Sequence, residues 1–420
     1  MNEHHPVSRR RLLTSAGAGA AGLAAGGAGG AVAHANLGGA THEAAPTPLS
    51  SVGSTARAFH GSHQPGITTA QQAHGHLAAF DLTPRGADRD RAAALLRRWS
   101  EAAAALMAGR VPEGDHTGVA LDAGPSGLTV TIGFGYSFFD ATGLAARRPA
   151  ALEPLPRFTA DALDPERSDG DLWVQIGADD ALVAFHALRT LQRVAEDTGA
   201  ARPRWQMTGF NRTPGATKRP MTTRNLMGQL DGTNNPRPGD ADFDERVFVP
   251  DSPAADPGWM AGGSYVVVRR IRMLLDDWER QPLAAQERVI GRRKADGAPL
   301  TGGGEATAVD LDATDASGAP VIPADAHVRV TAPETNGGAA MLRRPFSYHD
   351  GVRADGAPDA GLLFVCWQAD PLRAFVPVQR KLDRGDALSA FVRHEASGLF
   401  AVPGGAAEGE YVGQRLFEGG

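Results

Sequence analysis

The sequence predicts an α+β protein of two similar halves, each a ferredoxin-like run of β-α-β-β-α-β with an antiparallel sheet. Three observations predict it. Short runs such as "TVTIGFG" and "SYVVVRRIRML" are rich in β-branched and aromatic residues and are bounded by Gly, Asp or Pro. Stretches such as "DRAAALLRRWSEAAAALM" carry apolar residues at three- and four-residue spacing, the period of a helix with one buried face. The order of these runs then recurs in the second half of the chain, after about residue 220.

Taken in order, residues 36–65 lack periodicity and read as a linker or an arm over the surface. The fold is expected to start near Gly66. "GITTAQQAHGHLAAFDL" is extended, "ADRDRAAALLRRWSEAAAALMAG" a helix, "GLTVTIGFGYSFF" and "DLWVQIGA" strands, "DDALVAFHALRTLQRVAEDTG" a helix and "RWQMTGFNR" a strand. These make the first domain, 66–220. The second, 221–420, follows with "SYVVVRRIRML" as a strand, "DDWERQPLAAQERVIG" as a helix, "HVRVTAP" and "GLLFVCWQA" as strands, and "DPLRAFVPVQRKLD" as a helix. Residues 292–323, rich in Gly, Asp and Pro, read as a long surface loop, and so long a loop is usually functional or flexible.

At 420 residues, 42% hydrophobic and 21% charged, the chain has enough material for a sizeable core. Its single cysteine, Cys366, excludes an internal disulfide, zinc–thiolate and iron–sulfur sites, and thioether attachment of a cofactor. At the N-terminus, Arg9 and Arg10 precede a weakly hydrophobic Ala/Gly run that closes on Ala33-His34-Ala35. Residues 1–35 therefore read as a twin-arginine signal for export of a folded protein to the periplasm, the envelope or the medium. Removing their three Arg and one Glu takes the formal charge from −6 to −8. That acidity argues against nucleic acid as a partner. No later segment approaches the ~18 consecutive apolar residues of a membrane span.

Two motifs carry chemistry. "GQLDGTNNP" sets Asp231 between glycines beside a hydroxyl and two amides, which suits either an Asx-type turn or a catalytic carboxylate. "HVRV", read as a strand, sends His327 and Arg329 to one face, where they suit a cofactor that carries both a metal and carboxylates. A strand-edge histidine beside a solvated arginine fits the same pattern. In "MLRRPFSY", Arg343 and Arg344 point opposite ways along an extended chain, so one faces inward while the other is solvated. An inward arginine needs a partner, and Asp231 is its natural complement. Together they suit peroxide chemistry: a carboxylate relays a proton between the two oxygens and a fixed cation stabilises the departing one.

The set "FHGSHQPGI", "TVTIGFGYSFFD", "RNLMGQLDGTNNP", "VIGRRK", "HVRV", "MLRRPFSY" and "LLFVCWQ" resembles the dye-decolourising haem peroxidase family, in particular its exported bacterial branch, which includes deferrochelatases. The likeness runs from about residue 57 to the C-terminus. Its core, G-x-x-D-G at Gly228 to Gly232, is short, but His327 with an arginine sixteen residues further on makes the combination specific. The resemblance implies one haem b per chain, held in the C-terminal half. It implies His327 as proximal iron ligand, Asp231 as distal acid/base and Arg343 as distal cation. Arg329 would meet a haem propionate, and Thr233 and Asn235 would border the haem. Some relatives carry an Asn two places after the distal Arg; Pro345 stands there here. Asp370 and Glu395 are candidates to accept the proximal imidazole N–H, with a helix-cap role open for Asp370.

The implied function is an exported peroxidase that reduces hydrogen peroxide and oxidises bulky aromatic donors such as dyes. The rival is a deferrochelatase that takes iron from haem, leaves the macrocycle intact and works with iron-uptake proteins. A haem carrier without turnover is a third reading, and the Asp231/Arg343 pair argues against it. Trp173, Trp259, Trp278, Trp367, Tyr348 and Tyr411 are candidate electron relays or plain core aromatics. The resemblance leaves room for a homo-oligomer.

Overall fold

A computed structural model of the chain describes residues 50–214, 222–252 and 257–418. The export signal at 1–35, the first part of the expected arm and the boundary near residue 220 lie outside the described residues. These described residues form one compact unit. Its first half runs α1 (Ser50–Ser54), β1 (His74–Leu82), α2 (Arg89–Met107), β2 (Thr129–Gly135), α3 (Tyr136–Ala141), β3 (Leu172–Ala178), α4 (Ala181–Thr198) and β4 (Ala201–Phe210). The second runs α5 (Phe243–Val247), β5 (Ser264–Met273), α6 (Leu275–Glu279), α7 (Leu283–Ile290), α8 (His327–Thr331), β6 (Leu342–Arg343), β7 (Phe346–Val352), β8 (Pro358–Gln368), α9 (Phe375–Gly385), β9 (Val392–Val402) and α10 (Gln414–Glu418).

The long helices of the first half start and stop where their sequences say they should. Asp88 and Asp180 accept hydrogen bonds from the first free N–H groups of α2 and α4, and Gly199 ends α4 in the left-handed conformation. Both helices lie on one side of their strands, and the Trp99 indole N–H of α2 donates to the Leu191 carbonyl of α4 at 2.9 Å.

All strand pairings are antiparallel. The first half gives the order β2-β3-β1-β4 and the second β9-β5-β8-β7, with β6 extending the β7 side of β8. The halves join at two narrow seams: Phe134 and Gly135 of β2 pair with Ala401 and Phe400 of β9, and Phe210 of β4 pairs with Ser347 of β7. Eight strands thereby close into a ring. Side-chain alternation then divides the core. Trp173, Val266, Val268, Trp367 and Phe400 fill the inside of the ring, where Trp173 stacks on Phe400 at 5.6 Å. Their neighbours Leu172, Val174, Tyr265 and Val267 face outward into a second core with α2 and α4. A third, smaller core outside the second half gathers Met227, Met273, Trp278, Ile290 and Leu362, and the site adjoins it.

The structure corrects three expectations. "HVRV" is not a strand: it is the helix α8, and the third strand of the second half is β7, from "FSYHDGV". The fold does not wait for Gly66, because Phe59 is buried and the side-chain amide of Gln64 bonds both the N–H and the carbonyl of Ile132, so this part of the expected arm is packed. The loop 292–323 is not a bare surface excursion either; it carries short bridges at Arg292–Pro299 and Thr314–Pro320 and buries Ala298 and Ile322.

Candidate active site

Asp231 emerges from a tight turn. Arg224 and Leu230 face each other in an isolated bridge, Asp231 N–H donates to the Thr223 carbonyl at 2.9 Å, and the Asn225 side-chain oxygen accepts from the N–H groups of Met227 and Gln229. Gly232 follows at φ +114, a conformation that any side chain would strain, so the chain reverses immediately after the carboxylate. Asn225 Nδ2 lies 3.4 Å from one carboxylate oxygen, and Arg343 Nη1 lies 3.3 Å from the other.

The turn is braced from outside by residues the sequence did not single out. Arg224 donates to the carbonyls of Gly228, Lys294 and Ala295. Glu305, from the middle of the 292–323 loop, accepts from Thr233 Oγ1 at 3.1 Å and from Thr222 Oγ1. Only the length of that loop hinted at a role. Asn235, four residues after Asp231, turns its amide to the backbone of Arg343.

Arg343 turns to Asp231, but Arg344 is not the solvated partner that the extended reading requires. It is largely enclosed, its Nε has no hydrogen-bond partner, and burial lowers its pKa to about 10. The next residue is fixed from the first half of the chain, since Pro345 O accepts from Asn211 Nδ2 at 3.1 Å and from Gln71 Nε2.

His327 opens α8, and its Nδ1 lies 3.0 Å from Asp386 Oδ2. Burial disfavours the imidazolium, but the Asp386 carboxylate outweighs it and raises the pKa of His327; the charges of Arg343 and Asp231 bear on the same ring. Asp386, not Asp370 or Glu395, is therefore the acceptor. Asp370 caps the turn that leads into α9 by accepting from Leu372 N–H at 2.8 Å, and Glu395 is paired with Arg270, Arg272 and Arg353. Arg329 spends Nε and Nη2 on the carbonyls of Ile322 and Leu311.

With Nδ1 committed to a carboxylate, Nε2 is the nitrogen left for a metal. No group of three or more His, Cys, Asp or Glu side chains suited to a metal ion occurs among the described residues, so His327 offers a metal a single point of attachment. A one-point ligand fits a metal that brings its own equatorial donors, as a porphyrin iron does. The side chains around it also remain open: His327 and Arg343 are each 27% exposed and Asp231 15%, against 4% for Asp386. All six aromatic relay candidates, Trp173, Trp259, Trp278, Trp367, Tyr348 and Tyr411, are buried.

Comparison with known proteins gives consistent matches over nearly all of the described chain. Residues 64–211 match the family described as Dyp-type peroxidase, N-terminal, and residues 222–407 match Dyp-type peroxidase, C-terminal. A dye-decolorizing peroxidase from Thermobifida fusca (strain YX) is 48% identical over 367 residues, 85% of this chain and 84% of that protein. A deferrochelatase from Yersinia pseudotuberculosis serotype I (strain IP32953) is 38% identical over 373 residues, 86% of this chain and 84% of its own. The solved structure of ferric DtpA from Streptomyces lividans has a TM-score of 0.85 at 71% identity, covering 89% of this chain and 100% of that one.

Proposed function

The chain belongs to the Dyp-type peroxidase family, and on that premise we propose that it is an exported haem b peroxidase that reduces hydrogen peroxide at the expense of bulky aromatic donors such as dyes. The observation that carries the reading is the presence of two pairs, Asp231 with Arg343 and His327 with Asp386, the charges of the first bearing on the imidazole of the second. The haem, one per chain in the C-terminal of two ferredoxin-like halves, would supply when bound the iron at which peroxide is reduced. Iron in a relative 71% identical, solved in its ferric form, supports that cofactor.

The chain's own residues divide the remaining work. His327 holds the iron through Nε2, and Asp386 fixes the ring and makes that nitrogen a stronger donor. Asp231 takes a proton from the nearer peroxide oxygen and returns it to the departing one. Arg343 lends positive charge as negative charge develops, without having to reorient. Two electrons and two protons reduce peroxide to two waters, and the donor loses the electrons. Thr233 and Asn235 would border the haem through the turn, and Arg329 would meet a propionate. Export by the twin-arginine route rests on Arg9, Arg10 and the Ala33-His34-Ala35 ending. No helix among the described residues is long and apolar enough to cross a membrane.

The Yersinia relative keeps a second reading in view, removal of iron from haem with the macrocycle intact. Purified holoprotein mixed with peroxide and a dye separates the two: dye oxidation with the haem spectrum retained supports the peroxidase, and accumulation of iron-free porphyrin supports the rival. His327→Ala should lose most of its haem, and a variant with full haem and an unchanged spectrum would overturn the ligand assignment. Arg343→Leu should slow peroxide consumption by about 10²-fold or more, and Arg344→Leu by much less. Equal losses at the two positions, with haem intact, would mean that the wrong arginine has been assigned.

A further inference from the structure

Arg343 sits on β6, a two-residue strand at the end of the sheet order, with a partner strand, β8, on one side only. Arg344 N–H already bonds across to Val365 on β8, so the N–H and C=O of Arg343 point the other way, toward a border that carries no strand. Such groups, half-buried, need partners. Asn235 provides both: its Nδ2 donates to Arg343 O at 2.7 Å and its Oδ1 accepts from Arg343 N–H at 3.2 Å. One side-chain amide thus does for Arg343 what a neighbouring peptide does inside a sheet. The same Asn235 closes the Asp231 turn through its own N–H, which donates to Gly232 O at 3.0 Å.

The two catalytic candidates are therefore joined by a path that does not run through their own contact. That contact, 3.3 Å between Nη1 and Oδ1 with both side chains partly exposed, is too long and too wet to fix the geometry unaided. The backbone bracket is shorter and uses both of its hydrogen bonds. We propose that Asn235 is a positioning residue that sets the distance between the Asp231 carboxylate and the Arg343 guanidinium by clamping the Arg343 backbone; this rests on the peroxidase reading of those two side chains.

The test uses holoprotein and three variants, with peroxide-limited rate, donor KM, haem content and fluoride affinity measured from pH 7 downward. Fluoride probes the positive charge at the site without turnover. Asn235→Ala loses both bonds and should lower the peroxide-limited rate and fluoride affinity by about tenfold or more, with donor KM unchanged. Asn235→Asp is the diagnostic variant. Ionised, it repels Arg343 O; protonated, its O–H donates there while its other oxygen accepts, which restores the amide's pattern. Its rate and fluoride affinity relative to wild type should climb as pH falls through about 4, whereas the Asn235→Ala ratio stays flat. The other charged groups of the turn are the same in wild type and in both Asn235 variants, so the comparison is made as a ratio to wild type. Wild-type rate in Asn235→Ala, or an Asn235→Asp ratio that does not respond to pH, overturns the proposal. If Asn235→Ala does not fold, the Asn235→Asp series decides. Arg343→Leu run alongside distinguishes the two levels: a fast Arg343→Leu sinks the reading of Arg343, while a slow one beside a fast Asn235→Ala sinks only the bracket.

Discussion

The carboxylate of Asp386 divides its two oxygens between a helix start and an imidazole. Oδ1 accepts from Leu388 N–H at 3.2 Å and Oδ2 faces His327 Nδ1 at 3.0 Å. The first bond fixes the carboxylate, and the second fixes the tautomer of the ring. Asp386→Ala should therefore weaken haem binding by about 10- to 100-fold in titrations of the apoprotein, and Asp386→Asn, which keeps the cap, should weaken it less than Ala does. Unchanged affinity in both would remove Asp386 from the site. This residue shows the limit of reading single positions. Asp231 and Arg343 were legible because each sits in an unusual local setting, one among glycines and one in an arginine pair. Asp386 is one more aspartate before a short helix, 59 residues from its partner, and only the packing of α8 against α9 brings the two together. Asp370, which looked equivalent, is used up by its own backbone.

At the scale of elements, "HVRV" was misread for a physical reason. Four residues with two alternating valines satisfy a strand, but Val330 is also one helical turn from His327, and Pro323 and Pro333 bound a segment too short for its period to be decided. The long helices of the first half were legible because each runs for many residues with one face buried, and its strands because they are runs of β-branched and aromatic residues. The 292–323 loop was legible only as an anomaly, and its use in bracing the Asp231 turn was not. Gly297 offers a way to test that use. It has φ +73, and a Cβ there would stand 2.5 Å from Leu230 Cδ1, next to Asp231. Gly302, at φ +105, has nothing within 4 Å of an added Cβ. Both Gly→Ala changes strain the backbone, by roughly 1–3 kcal/mol, but only Gly297→Ala pushes on the turn. Gly297→Ala should thus slow peroxide consumption severalfold while Gly302→Ala lowers only the melting temperature. Equal rates in the two would mean that the loop does not control the turn.

For the molecule as a whole, stability should fall in acid before the carboxylates are protonated. Burial, with His74 adding to it, lowers the pKa of His76 to about 4, and burial with Arg269 lowers that of His394 to about 3. A histidine whose pKa is lower folded than unfolded contributes stability that is complete above about pH 6.5 and is lost as pH falls toward the folded value. Each should cost about 1.4 kcal/mol per pH unit between about 6.5 and 4. Asp115 works later: desolvation opposes its charge, but bonds from Thr117, Arg193 and His186 hold its carboxyl well below the usual range, so its contribution persists until still lower pH. Denaturant melts of holoprotein at pH 7, 5.5 and 4.5 should show the decline, and His394→Gln should flatten it by about half. A wild-type protein equally stable at pH 7 and 4.5 would contradict the assignment of these two as buried and neutral.

The closed ring of strands also bears on solubility. An open sheet ends in a row of unpaired amides that can recruit another chain, and natural sheets blunt such borders with charge, proline or bulges. Here closure joins the outer strands of the two halves at two joints, one of two residue pairs and one of a single pair, Phe210 with Ser347, and leaves the two-residue β6 with a strand on one side. A border of full-length strands becomes available where those joints part. Aggregation on heating or in acid should then begin from molecules opened along a seam, with both sets of strands still folded.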